Sequence, residues 1–265
     1  MELYTQTSGN GPDLVLIHGW GLHGGIWGTL LPLLEPHFRI TRVDLPGHGR
    51  SDWQDTTGLD AFTGAVLANV PEQAAWLGWS LGGLVAARAA AAVPVRVSAL
   101  VLVASTPSFI HRPDWQSAMQ PELLDSFADE LETGFERTLN RFLSLQVRGS
   151  DNAATVLREL RARLLAQGEP DPSALRAGLA ILRDTDLRTA YADIKCPALM
   201  LMGERDTLVP VAAAQTAAAW LPHGSVHVVN GAGHAPFIAS PGEVADTLRG
   251  FLLAGSQSLT GDANG

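Results

Sequence analysis

The stretch Trp76-Leu77-Gly78-Trp79-Ser80-Leu81-Gly82-Gly83 constrains this chain more than any other. A short apolar run ends there in a serine with a glycine two residues away on either side, the Gly-x-Ser-x-Gly pattern of a nucleophile elbow. In such an elbow a strand turns sharply into a helix with the serine strained at its apex, so side chains at the glycine positions would collide with adjacent backbone. The setting agrees: Ala74 to Leu77 reads as a buried strand, and Gly83 to Val93, mostly alanine and valine interleaved by Leu84 and Arg88, reads as a helix. The competing reading is a glycine-rich turn whose serine caps a helix. Partners later in the chain decide between them.

Short apolar runs recur around this stretch: Leu14 to Ile17, Ile40 to Leu45, Ala75 to Trp79, Ala99 to Ala104, Ala198 to Met202 and Val226 to Val229. Helical patterns separate them, which predicts an α/β fold, a mainly parallel sheet covered by helices. Leu3 to Thr7 alternates apolar with polar residues and predicts an antiparallel edge strand. The strand rhythm stops between residues 106 and 191, where the sequence is helical with breaks at Pro107, Pro113, Pro121, Gly149, Gly168, Pro170 and Pro172. The expected organisation is therefore a sheet core of residues 1–105 and 192–254, an inserted helical cap of 106–191, and a disordered tail of 255–265 with little to bury. In the cap, Ser126 to Gln146 and Ala153 to Leu165 carry apolar residues at helical spacing.

A serine hydroxyl is a weak nucleophile at neutral pH, so the elbow calls for a general base and an acid that orients it. In elbow-type hydrolases both follow the serine, each just after a strand. Asp206 follows the run Ala198 to Met202, and His234 follows Val226 to Val229. His223 and His227 also follow Asp206, but one precedes a strand and the other lies within it. Glu204 is the nearest rival acid, and Asp206 is preferred because its spacing into Val209-Pro210 fits the loop after the acid. Acyl transfer further needs donors aimed at the developing oxyanion, and the backbone N–H groups of Leu81 and Trp20 are the candidates. His18 and Gly19 are expected to shape that loop, and Asp44 to Ser51 to form a structural turn beside the site.

Composition narrows the classes. A chain of 265 residues with 46% apolar content can bury a substantial core without disulfides or metals. Cys196 is the only cysteine, so neither an intrachain disulfide nor a thiolate cluster is available. The lone cysteine suggests a reducing, cytoplasmic setting. With no basic-then-apolar stretch in Met1 to Gln6 and no run near the roughly 20 apolar residues of a membrane span, a protein without membrane association is expected. The net charge of −9 argues against nonspecific nucleic-acid binding. No metal or phosphate motif appears, and no cofactor is expected.

With these residues placed, the chain resembles the α/β-hydrolase superfamily over almost its full length. Leu16 to Leu22, Val43 to Gly47, Trp76 to Val85, Arg141 to Gln146 and His234 to Ile238 resemble, more narrowly, the BioH family of pimeloyl-acyl-carrier-protein methyl ester carboxylesterases. The resemblance implies hydrolysis of the methyl ester at the far end of a pimeloyl chain carried on phosphopantetheine, by a monomeric enzyme of biotin synthesis. It further implies substrate contacts at Trp20, Ser80, Leu81, Phe142, Leu143, Ser144, Leu145, Gln146 and His234. Carrier-protein docking is implied at Arg137, Arg141 and Arg158. One further family arginine aligns with Ala154, with Arg148, Arg161 and Arg163 nearby. Residues 137–163 hold six arginines against two acids, a local net charge of +4, which suits an acidic partner or else a solvated helix face. Two other readings stay open: a general carboxylesterase or carbon–carbon hydrolase acting on free small molecules, and a ligand receptor that keeps a hydrolase fold.

Overall fold

The computed structural model describes residues 1–132, 134–164 and 166–258. Residues 259–265, most of the expected tail, lie outside the described residues. Seven strands form one sheet: β1 (Thr5–Ser8), β2 (Asp13–Ile17), β3 (Arg39–Val43), β4 (Ala74–Trp79), β5 (Val97–Val103), β6 (Ala198–Gly203) and β7 (Gly224–Val229). Their order is β1-β3-β2-β4-β5-β6-β7. Only β1 runs antiparallel, at one edge on β3, and every other pairing is parallel. The central strands β2, β4, β5 and β6 are almost continuously buried, as expected where helices cover both faces.

Helices α1 (Leu31–Leu34), α2 (Leu59–Leu67) and α3 (Leu81–Ala92) lie between the early strands. Between β5 and β6 come α4 (Pro121–Leu131), α5 (Phe135–Gln146), α6 (Ala153–Leu164) and α7 (Pro172–Asp184), and the chain closes with α8 (Val211–Ala218), α9 (Pro236–Ala239) and α10 (Pro241–Ser258). The alanine-rich α3 is buried over most of its length, since small side chains let it approach the sheet closely. Among the described residues no helix is long and apolar enough to cross a membrane.

Three expectations change in detail. Pro121 and Pro172 start helices instead of breaking them, because the first helical position needs no N–H donor and favours proline's fixed φ. The single helical stretch expected from Ser126 to Gln146 is two helices, α4 and α5, that pack against each other around Gly134. The last helix runs to Ser258, four residues into the segment expected to lack structure; extending an existing helix is far easier than nucleating one.

The insertion is tied to the sheet by specific bonds as well as by apolar contact. The Trp20 indole donates to the Leu175 carbonyl on α7 at 2.8 Å. His23 Nε2–H donates to the Arg163 carbonyl on α6 at 2.6 Å, while its Nδ1 accepts from the Gly25 N–H at 3.0 Å. The Arg163 guanidinium returns a bond to the Gly25 carbonyl at 2.9 Å. Trp20, Phe127 and Phe142 form an aromatic cluster across the boundary, with Trp20 edge-on to Phe142 at 4.9 Å and Phe142 edge-on to Phe127 at 5.4 Å. Each such pair contributes about 0.5–1.5 kcal/mol beyond the area it buries.

Candidate active site

Ser80 stands between the last residue of β4 and the first of α3, at φ 55° and ψ −117°. A non-glycine residue there is strained, and the surroundings hold it. A Cβ on Gly78 would overlap the Gly82 carbonyl, and one on Gly82 would overlap the Ile17 carbonyl on β2. The two glycines therefore let strand, turn and helix pack at backbone contact. Ser80 is 2% exposed.

Asp206 and His234 occupy the loops after β6 and β7. His234 Nδ1 is 2.7 Å from Asp206 Oδ2, with both side chains essentially buried. The other carboxylate oxygen, Oδ1, accepts the Leu208 N–H at 2.8 Å and the Val209 N–H at 3.0 Å. This fixes the carboxylate, and its position in turn fixes the imidazole with the proton on Nδ1. His234 Nε2 is buried without a hydrogen-bond partner, the condition of a nitrogen kept for a reacting group. The His234 peptide is held on both sides: its N–H donates to the Gln146 carbonyl at the end of α5 at 2.9 Å, and its carbonyl accepts from the Trp79 indole at 2.7 Å. Since Trp79 adjoins Ser80 in the chain, the nucleophile and the candidate base lie at the same end of the sheet.

The oxyanion candidates are also local to Ser80. A Cβ on Gly19 would lie 3.3 Å from Ser80 Cβ, so the loop carrying Trp20 abuts the elbow. Leu81 opens α3, where an N–H has no carbonyl one turn back to receive it. His18 holds this loop in shape: Nδ1–H donates to the Gly19 carbonyl at 2.8 Å and Nε2 accepts the Leu45 N–H at 2.9 Å. Burial pushes its pKa well below the usual histidine value, so the ring stays neutral, with both nitrogens occupied. Asp44 shapes the neighbouring turn, accepting from Gly24 N–H at 2.6 Å and Arg50 N–H at 3.0 Å.

The rival acid Glu204 is half exposed and accepts the Gly231 N–H at 2.8 Å, which braces the histidine loop without reaching the ring. Of the five consecutive α5 residues expected to touch substrate, Phe142, Leu143 and Gln146 are buried and Leu145 is half-buried. Ser144 is exposed and donates back to the Asn140 carbonyl at 2.8 Å. Consecutive helical residues point about 100° apart, so the five do not share one face, and Ser144 is the one turned to solvent.

Arg137 and Arg158 are exposed on α5 and α6, as are Arg148, Arg161 and Ala154. Arg141 pairs with Glu130 on α4 and lies 4.8 Å over the Phe127 ring. Arg163 is no substitute for the missing arginine at Ala154, because its guanidinium is spent on Gly25 and Glu159. Sequence reading missed three connections: Trp79 to His234, Gln146 to His234, and the ion pair that joins Asp151, after α5, to Arg205 beside Asp206. They pair residues far apart in the chain, and no local pattern announces them.

A parallel sheet with a strand–serine–helix elbow, and an aspartate-supported histidine on later strand ends, defines an α/β-hydrolase. Residues 14–247 match the alpha/beta hydrolase family. Over 252 residues the chain is 44% identical to the pimeloyl-[acyl-carrier protein] methyl ester esterase of Xanthomonas oryzae pv. oryzae, covering 95% of this chain and 99% of that one. It is 45% identical over 253 residues to the protein of the same name from Serratia marcescens, covering 95% and 98%. The chain belongs to the alpha/beta hydrolase family, in the group formed with these esterases. Among solved structures, a bromoperoxidase from Bacillus anthracis superposes with a TM-score of 0.88 at 22% identity, and an esterase from Exiguobacterium antarcticum with 0.84 at 21%. Each match covers 95% of both chains, and at that identity they speak for the fold alone.

Proposed function

We propose that this chain is a serine carboxylesterase that hydrolyses the methyl ester of a pimeloyl chain carried on acyl-carrier protein, releasing methanol and the free carboxylate. The supporting observation is the buried Asp206–His234 pair beside the Ser80 elbow, in a chain 44–45% identical over nearly its whole length to esterases so named. His234 Nε2 takes the Ser80 Oγ proton as the oxygen attacks the ester carbonyl carbon. The oxyanion is received by the N–H groups of Leu81 and Trp20, which stabilise it more than they do the ground-state carbonyl. The tetrahedral intermediate collapses, and methoxide leaves as methanol with the proton from His234 Nε2. Water then attacks the acyl-serine, again giving its proton to His234, and Ser80 is released with the free acid.

Residues 106–191 form a cap in this reading. Phe142 and Leu143 line the acyl path with Trp20, while Arg137 and Arg158, together with Arg141, meet the acidic carrier. The enzyme works as a cytoplasmic monomer, consistent with its single cysteine, whose half-buried thiol is pushed up to about 11 by burial. Rescue of a biotin-requiring strain that lacks its own esterase tests the reading. The wild-type chain restores growth without biotin and Ser80→Ala does not. Failure of a well-expressed wild type, with cleavage of free short esters retained, points to a general carboxylesterase instead.

A further inference from the structure

Trp79 occupies the variable position immediately before the elbow serine, yet its side chain touches two separate parts of the candidate site and its backbone joins a third. The indole N–H donates to the His234 carbonyl at 2.7 Å. The six-membered ring lies under the oxyanion loop, where a Cβ on Gly19 would meet Trp79 Cε3 at 3.1 Å. The residue is covalently joined to Ser80 and fully buried. Its own ring is held by Phe237, edge-on at 5.1 Å in the helix after His234, and by Trp27, edge-on at 6.5 Å. A rigid side chain anchored at the nucleophile thus fixes the height of the loop that carries the base.

The need for such an anchor follows from how His234 is built. Its ring is oriented by Asp206, but that bond alone leaves the imidazole free to swing about Nδ1 if the backbone shifts. The peptide is held at its N–H by Gln146 in the insertion and at its carbonyl by Trp79 in the sheet. Only the second bond refers the base to the nucleophile itself, and small displacements of a base cost large factors in rate.

We propose that Trp79 is a positioning residue for the reaction, setting the distance between Ser80 and His234 through its indole N–H. The inference rests on the Ser80–His234 chemistry proposed above. Two variants of the full-length chain test it: Trp79→Phe, and Trp79 replaced by 3-benzothienylalanine, which keeps the bicyclic shape and exchanges only the N–H for sulfur. With p-nitrophenyl acetate, both are expected to lower kcat about tenfold, on the order of one lost hydrogen bond, while KM stays within about twofold. The rate of Ser80 labelling by a fluorophosphonate should fall in parallel. Thermal unfolding of the benzothienylalanine protein close to that of the wild type separates positioning from folding. Wild-type kcat in that protein overturns the proposal and assigns any loss in Trp79→Phe to packing; so does a loss confined to KM. Ser80→Ala measured alongside keeps the two readings apart: if it retains activity, the nucleophile assignment fails, and if it is inactive while the Trp79 variants are normal, only the positioning role fails.

Discussion

The Trp20 indole, on the loop that abuts the nucleophile, and the Leu175 carbonyl, in the first turn of α7, are joined by a 2.8 Å hydrogen bond across the boundary between sheet and insertion. The residue whose backbone is a candidate oxyanion donor is therefore also a strut between the sheet and the insertion. Gly178 makes room for this, since a Cβ there would come within 2.6 Å of Trp20 Cδ1. Trp20→Phe keeps the backbone donor and removes the indole N–H together with part of the ring packed on Phe127 and Phe142. Urea denaturation should show a loss of about 1–3 kcal/mol, one buried hydrogen bond plus the packing of the larger ring, and kcat on a small ester should stay within several-fold of wild type. A loss of kcat as large as that of a triad variant would mean the side chain itself takes part in the reaction.

Asp206 acts in this scheme by orientation, so removing its charge while keeping its shape should disable the base without unfolding the protein. Asp206→Asn is expected to lower kcat by about 10⁴ at nearly unchanged KM. The single amide oxygen would face the Leu208 and Val209 N–H groups, leaving the amide NH2 to donate to His234 Nδ1, which gives the histidine the wrong tautomer. Steady-state kinetics with circular dichroism on the same preparation checks both halves of the expectation.

The parts of this site legible in the sequence are those fixed by local geometry. Gly78 and Gly82 are required by backbone contact around Ser80, and Asp206 and His234 follow strands whose apolar runs are unambiguous. The seven strands and the single antiparallel edge follow from the same periodicity. What escaped depends on which face of a helix meets what. Ser144 is exposed although Phe142, Leu143 and Gln146 on either side of it are buried, and Arg163 turns inward to Gly25 although its charge suggested a surface role. Trp79 reads as ordinary core packing until its indole is seen to reach a carbonyl 155 residues away.

His18 and His48 are both fully buried, and burial lowers the pKa of each. A base whose pKa is depressed in the fold binds protons more readily when unfolded. Below the unfolded value of about 6.5, unfolding therefore takes up protons, and stability falls by about 1.4 kcal/mol per pH unit for each proton involved. Above that value both states are neutral and the contribution is flat. Carboxylates held down by arginine partners, such as Asp186 with Arg188, add their own loss only below about pH 4. Urea titrations should thus give a plateau from pH 8 to 7 and a decline between pH 6.5 and 5. Constant stability across that lower range would contradict neutral buried rings.

Arg137 and Arg158 stand exposed on adjacent helices of the insertion. The double variant Arg137→Glu with Arg158→Glu is expected to raise KM for a carrier-bound ester by tenfold or more, while leaving KM for p-nitrophenyl acetate within twofold. Raising the salt concentration should raise the wild-type KM for the carrier substrate alone, because exposed charges are screened. Equal changes on both substrates would place the effect in the fold and not in docking.

The most direct test is methanol release from purified pimeloyl-acyl-carrier-protein methyl ester, with wild type and Ser80→Ala compared at equal concentration. The expected result is rapid stoichiometric methanol with the wild type and a rate lower by at least about 10⁴ with Ser80→Ala. Comparable methanol release by the serine variant, or none by a wild type that still cleaves p-nitrophenyl acetate, would contradict it.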